Sequence, residues 1–156
     1  MRRTDREIRD NETIFQIIKK SYCCRLGLID EGKVYIVPLN FGEVINEDHI
    51  ILYFHSAKDG RKIELIKKNP NVGFELDTNY QIKESDVACN YTAYYQSVIG
   101  EGKIEIVEDR TEKIIGLNAI MNHLTGKDWE YNEVMVNTVC VLKLTVQTMR
   151  GKQHID

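Results

Sequence analysis

Apolar and polar positions in this chain alternate over most of its length, and only three stretches break that rhythm with helical spacing. The runs YCCRLGLI and KVYIVPLNF read as two strands. Asp30, Glu31 and Gly32 join them, with glycine available for the positive-φ position that a short hairpin needs. Further strands are predicted in IILYFHS, NVGFELD and TVCVLKLTV. Between Thr92 and Val107 the pattern gives two strands about a bend or bulge at Gly100 and Gly102. Lys103 and Glu105 alternate there with Ile104 and Ile106, so one side of that strand faces water.

The first helical stretch has Thr4 and Glu7 at capping-box spacing and then Ile14, Phe15, Ile17 and Ile18 on one face, ending at Lys19 and Lys20. The second is DGRKIELIKK, closed by Asn69 and Pro70. A longer one starts near Asp109 and Thr111, carries Ile114, Leu117, Ile120 and Met121, and stops at Gly126, a suitable C-cap. NEDH is expected to turn the chain into IILYFHS. Six or more strands in hairpin-like order, without regular strand-helix alternation, predict an antiparallel barrel with attached helices. The fold class is therefore mainly β with flanking helices (α+β), in one domain over residues 1–156.

Composition removes several function classes. Acids outnumber bases slightly, for a formal net charge of -3, and the bases are dispersed, so no broad field favours nucleic acid or an anionic membrane. The start, MRRTDREIRDNE, has no apolar run behind its arginines, and no stretch approaches a membrane span. Cys23, Cys24, Cys89 and Cys140 form no CxxC pair and complete no zinc spacing with the histidines. They read as reduced, mostly buried small hydrophobes of a cytoplasmic protein, with no metal site. The expected partner is a small molecule or a protein.

Two places carry chemistry. In KVYIVPLNF both strand faces are largely apolar, and Pro38, which has no N–H to donate, belongs at a sheet edge or bulge. Backbone groups near such an edge can face a planar ligand. In YFHSAKDGRKIELIKKNP, Arg61 and Lys62 open a helix whose first-turn N–H groups favour an anion. Ser56 adds a hydroxyl donor, and Gly60 allows close backbone approach. Together they describe a phosphate pocket. A solvated charged turn accounts for the same residues, and no GxxxxGK[ST] is present.

The ordered blocks CRLGLID, VYIVPLNF, LYFHSAKDGRKIELIKKNPNVGFELD and YQSVIGEGKIEIVED resemble the FMN-binding split-barrel proteins of the pyridoxamine phosphate oxidase-like superfamily, especially its nitroimidazole-resistance-like flavoprotein branch. The likeness runs from about residue 2 to 146. It implies a six-stranded antiparallel split β-barrel that binds FMN, with FAD as the longer option. Arg61 and Lys62 would bind the flavin phosphate, with Ser56, Ala57 and Gly60 lining its path. The segment Val37, Pro38, Leu39, Asn40 and Phe41 would run beside the isoalloxazine, and Gln96 and Ser97 would complete the pocket. The resemblance also implies a homodimer with the flavin in a groove between subunits.

His55, by the flavin in this branch, is the candidate catalytic residue, an imidazole able to shuttle a proton near neutral pH. A satisfied structural histidine is the alternative. Trp129 would cover the flavin or fill a groove, and Tyr91, Tyr94 and Tyr95 are pocket-wall candidates. His49 and His123 receive no role. The end of the chain, TMRGKQHID, lacks the Trp-, Arg- and His-rich segment of genuine pyridoxamine phosphate oxidases. Arg150 and His154 do not replace it, so vitamin B6 oxidation is not expected. The implied function is an FMN-dependent oxidoreductase of small molecules, with 5-nitroimidazole-type nitroaromatics among the expected substrates. A non-catalytic flavin- or haem-binding module on the same scaffold is the alternative.

Overall fold

Glu31 and Gly32 both adopt positive φ, 50° and 81°, which makes the Asp30–Lys33 connection a two-residue turn matched to strand twist. It joins the strands β2 (Cys24–Asp30) and β3 (Lys33–Leu39). The computed structural model describes residues 4–46 and 49–155. Before the hairpin come β1 (Glu7–Ile8) and α1 (Asn11–Lys20). After it come β4 (Gly42–Ile45), β5 (Ile50–Ser56), α2 (Arg61–Lys68), β6 (Asn71–Lys83) and β7 (Thr92–Ile106). The chain then forms α3 (Arg110–Thr125), α4 (Glu133–Thr138) and β8 (Cys140–His154).

All described strands belong to one antiparallel sheet in the order β3-β2-β6-β7-β8-β5-β4, with β1 added beside β8. The end strands β3 and β4 are joined through Asn40 and Phe41 but are not paired with each other, so the barrel is split rather than closed. Eight strands exceed the expected six because β1 and β4 are short additions. The stretch from Thr92 is one strand whose register to β8 shifts between Glu101 and Gly102, where two strands were expected. There a Cβ on Gly102 would fall 2.3 Å from the Thr145 carbonyl oxygen.

Two corrections concern helices. Thr4 and Glu7 do not cap α1: Glu7 and Ile8 pair with Lys152 and Gly151 of β8, and Asp10 caps the helix by accepting from the Thr13 N–H at 2.7 Å. The six-residue α4, capped by Asn132, had no clear periodic signal. Asp109 and Gly126 bound α3 as expected, Gly126 in the left-handed region at φ 69°. Of the expected NEDH turn, Asn46 donates its N–H to the His49 carbonyl, whereas Glu47 and Asp48 lie outside the described residues.

The main core joins one sheet face to Ile14, Ile17 and Ile18 of α1 and Ile63, Leu65 and Ile66 of α2. Leu52 and Phe54 of β5 face it, and so do Leu142 and Leu144 of β8. The alternate residues Tyr53 and Val141 face the other way, against α3. That helix sits close because Gly42 carries no side chain: a Cβ there would lie 2.1 Å from the Ala119 carbonyl carbon. His123, in the last turn of α3, is buried. Its Nδ1 lies 2.5 Å from Glu43 Oε2, and its Nε2 donates to the Ser21 carbonyl at 2.7 Å. Burial opposes a charge on this ring, but Glu43 and the Ser21 carbonyl outweigh it and hold the imidazole above its ordinary pKa.

Cys24 and Cys140 are buried thiols, Cys23 is half-buried, and Cys89 is exposed. Among the described residues no helix is long and apolar enough to cross a membrane. No group of three or more potential metal ligands occurs among the described residues.

Candidate functional site

The split in the barrel leaves an opening that is the candidate site. Gly42 and Tyr53 are the last pair between β4 and β5. Beyond it, Phe54, His55 and Ser56 pair only with β8, and Val37, Pro38 and Leu39 pair only with β2. Two strand edges therefore diverge from the Phe41 corner with backbone N–H and C=O groups unpaired on one side. Pro38 occupies the edge strand expected of it. The β5 edge runs through Ser56 and Ala57 to Gly60 and the start of α2.

Period-two alternation separates the neighbours His55 and Ser56. Ser56 shares the face of Leu52 and Phe54 and is 7% exposed. Its Oγ is buried without a hydrogen-bond partner among the described residues, an uncommon state for a buried hydroxyl. His55 projects to the opposite face, is exposed, and has no side-chain partner among the described residues. At Gly60 (φ 125°, ψ 168°) no side chain caps α2, and the space where a Cβ would lie is open.

Arg61 and Lys62 open this helix in different ways. Arg61 donates from Nε and Nη2 to Asp30 Oδ2 at 2.9 and 2.7 Å and stacks over Tyr35 with its Cζ 4.4 Å from the ring centroid. The hairpin thereby holds the guanidinium and leaves Nη1 for another acceptor. Lys62 is half-buried and has no ion-pair partner among the described residues. Asp30 and Tyr35, the groups that aim Arg61, carry no local sequence signal.

The other sequence candidates divide. Val37 and Leu39 are half-buried against the main core, while Pro38 and Ala57 are exposed. Asn40 is exposed and donates from Nδ2 to the Tyr22 carbonyl at 3.0 Å. Phe41 is fully buried with its ring 4.5 Å from that of His123, so the side chain serves the core and offers no free face. Gln96 and Ser97 are not brought to Arg61 within one chain. The α2–β6 connection meets β7 at Ile104, whose N–H donates to the Pro70 carbonyl, and Gln96 lies about 25 Å further along that strand at the usual rise. Gln96 there contacts Asn79 and Gln153. Trp129 follows α3, is 49% exposed, and donates from Nε1 to Thr125 Oγ1. Tyr91 is exposed, and Tyr94 packs on His154 at 5.3 Å.

On the α3 side of the sheet, Glu112 takes a hydrogen bond from Lys143 Nζ at 2.6 Å and a longer one from the Tyr53 hydroxyl at 3.4 Å. Burial, then Glu112, raises the Tyr53 pKa, and the bond to Glu112 raises that of Lys143. These groups satisfy one another.

Comparison with known proteins agrees with this architecture. No curated protein matches the sequence at a significant level. Among solved structures, a Bacteroides thetaiotaomicron protein provisionally described as a 5-nitroimidazole antibiotic resistance protein is 35% identical, with a TM-score of 0.81 over 94% of this chain and 86% of its own. The flavocytochrome Anf3 from Azotobacter vinelandii superposes with a TM-score of 0.82 at 18% identity, over 100% of this chain and 72% of its own. A FAD and haem binding protein from Mycobacterium smegmatis gives 0.82 at 13% identity, over 97% and 74%. At such identities the last two show the shared fold alone. The family model described as pyridoxamine 5'-phosphate oxidase matches residues 10–153, which include both unpaired edges and the start of α2. With that match and the split antiparallel barrel, the chain belongs to the pyridoxamine 5'-phosphate oxidase family.

Proposed function

We propose that this protein is a flavin-dependent oxidoreductase that holds the flavin phosphate at the start of α2 and the ring system along the diverging edges of β3 and β5. One observation carries the reading: the partnerless, buried Ser56 hydroxyl beside an uncapped helix start that bears Arg61 and Lys62. A buried hydroxyl, free first-turn amides and two cations fit a phosphate dianion, and unpaired strand-edge amides fit the donor and acceptor edge of an isoalloxazine. When bound, the flavin supplies the redox chemistry. Lys62 and the free Nη1 of Arg61 neutralise its phosphate, Ser56 donates a hydrogen bond, and the 37–40 backbone orients the ring. His55 is the exposed imidazole available to give or take a proton at substrate. FMN, with its terminal phosphate, is the flavin proposed, and FAD, in which that phosphate is part of a diphosphate, is the longer alternative.

The site is completed in a homodimer. Gln96 and Ser97 lie away from Arg61 in one chain, and a second copy supplies them across the groove, with Trp129 as a further cover for the flavin. A partly apolar outer face supports this arrangement: Val34 and Ile36 are 73% and 62% exposed beside a shallow cavity of about 450 Å3 lined by Gly27, Gly73 and Gly100 and edged by Arg25, Glu75 and Glu101. The likeness to the Bacteroides protein directs the substrate class to small nitroaromatics, 5-nitroimidazoles among them. That C-terminal residues Arg150 and His154 belong to β8, with His154 Nδ1 on the Ala93 carbonyl, argues against pyridoxamine phosphate oxidation.

The visible spectrum of the protein after incubation with FMN, with its mass in solution, tests the reading. Flavin absorbance on a dimer is expected. A colourless chain, or a monomer that holds flavin alone, removes it. A binding module without turnover on the same scaffold is the second reading. Anaerobic NADH or NADPH separates the two: prompt bleaching of bound flavin marks an enzyme. His55→Ala should leave flavin retention within about twofold and slow nitroaromatic reduction at least tenfold if the imidazole acts in proton transfer.

A further inference from the structure

On α2, Ile63 and Lys67 lie one turn apart and line a cavity of about 270 Å3. Arg61, two residues before Ile63 and so on another side of the helix, faces the β2–β3 hairpin instead. Lys58, in the segment after β5, and Lys113, in the first turns of α3, close the cavity from two other elements. Its floor is apolar, from Ile63, Ile106 and Val139. Cys140 completes the floor. Burial raises this thiol's pKa against the pull of Lys113, Lys62 and Lys67.

The charge is out of character with the rest of the chain. Three lysines meet one carboxylate, Glu108, in a protein whose formal net charge is -3. Lys58 and Lys113 have no ion-pair partner among the described residues, and Lys67 has only the exposed pair with Glu64 at 3.1 Å. Lysines converging on a concave, partly apolar surface, with Lys67 held only by an exposed pair, repel one another, and a bound anion relieves that repulsion. No arginine lines the cavity, so it lacks the planar fork that selects a carboxylate. Lysines suit a phosphate approached from several directions, and a net charge near two matches a phosphate dianion. The volume lies at the small end of ligand pockets, and the aliphatic floor suits a flat or aliphatic body.

We infer that this cavity, which adjoins the proposed flavin phosphate pocket across the Ser56–Cys140 strand pair, is a second anion site that binds a small organic phosphate of mononucleotide size. AMP is the probe, titrated by calorimetry into protein with and without saturating FMN, with inorganic phosphate as a parallel titrant. The expected result is saturable AMP binding that persists with FMN, exceeds that of inorganic phosphate, and weakens with salt. Lys58→Ala with Lys113→Ala should weaken AMP at least tenfold and leave the melting curve and FMN affinity unchanged, whereas the two Lys→Arg changes should keep AMP binding. Since AMP is read directly, a protein that took up no FMN would still report on the cavity. Absence of saturable AMP binding, equal affinity in the Ala variant, or displacement of AMP by FMN would each overturn the inference.

Discussion

Arg61 and Lys62 can be separated by experiment because only one of them also holds the fold. Lys62 has no ion-pair partner among the described residues, so Lys62→Ala should change the stability of the flavin-free protein by less than about 0.5 kcal/mol. Arg61 is 57% exposed on its side chain, and its bridge to Asp30 is worth at most about 1 kcal/mol, with a similar contribution from the stack on Tyr35. Arg61→Ala should therefore cost the flavin-free protein about 1 kcal/mol. Toward flavin the two should act alike. A charge-assisted hydrogen bond of about 1.5 to 3 kcal/mol corresponds to roughly 10- to 150-fold in Kd for each single variant. The pair shares one phosphate and will not add fully, so the double variant is expected to weaken FMN about 10- to 1000-fold. Quenching of FMN fluorescence gives the affinities, and thermal melts without flavin give the stabilities. Wild-type affinity in a folded double variant would refute the phosphate placement.

Three other outcomes follow from single contacts. Ser56→Ala removes a partnerless buried hydroxyl, so the flavin-free protein should gain about 1 kcal/mol while FMN binding weakens at least several-fold; a loss of stability in thermal melts would show that Ser56 already has a partner. Gly42→Ala places a Cβ 2.1 Å from the Ala119 backbone and must displace α3, with a cost of about 3 kcal/mol by denaturant titration. His123→Ala leaves Glu43 without its buried partner, at about 3 kcal/mol. The folded-state pKa of His123 is raised, so its stabilisation is complete below about pH 6.5 and falls as pH rises through the folded value; the gap between wild-type and variant melts should narrow above that point.

What the sequence disclosed was local. Glu31-Gly32, Asp109 and Gly126 announce a turn and two helix ends through chemistry carried by the residues themselves, and the structure uses each of them. Thr4 and Glu7 mislead because a distant strand captures Glu7 and Ile8, an outcome that no short window contains. β6 and β8 extend beyond the segments read as strands because their outer halves are largely polar, and pairing with β7 rather than apolar alternation sustains them. At the site, the RK pair and the alternation of His55 and Ser56 were readable. The opening between β3 and β5 depends on where β4 leaves β3, and the lysine cavity joins positions 58, 67 and 113, so neither has a signature along the chain.

The position of β8 bears on how the protein is made. This strand follows all the others in sequence, yet among the described strands it is the one that pairs with both the β3-β2-β6-β7 half of the sheet and the β5-β4 half. During synthesis, at roughly 5 to 20 residues per second, the two halves wait as separate fragments with apolar faces until the seam strand leaves the ribosome. A ribosome stalled before residue 140 should therefore expose a chaperone-binding intermediate, and release should complete both the sheet and the flavin opening in one late step.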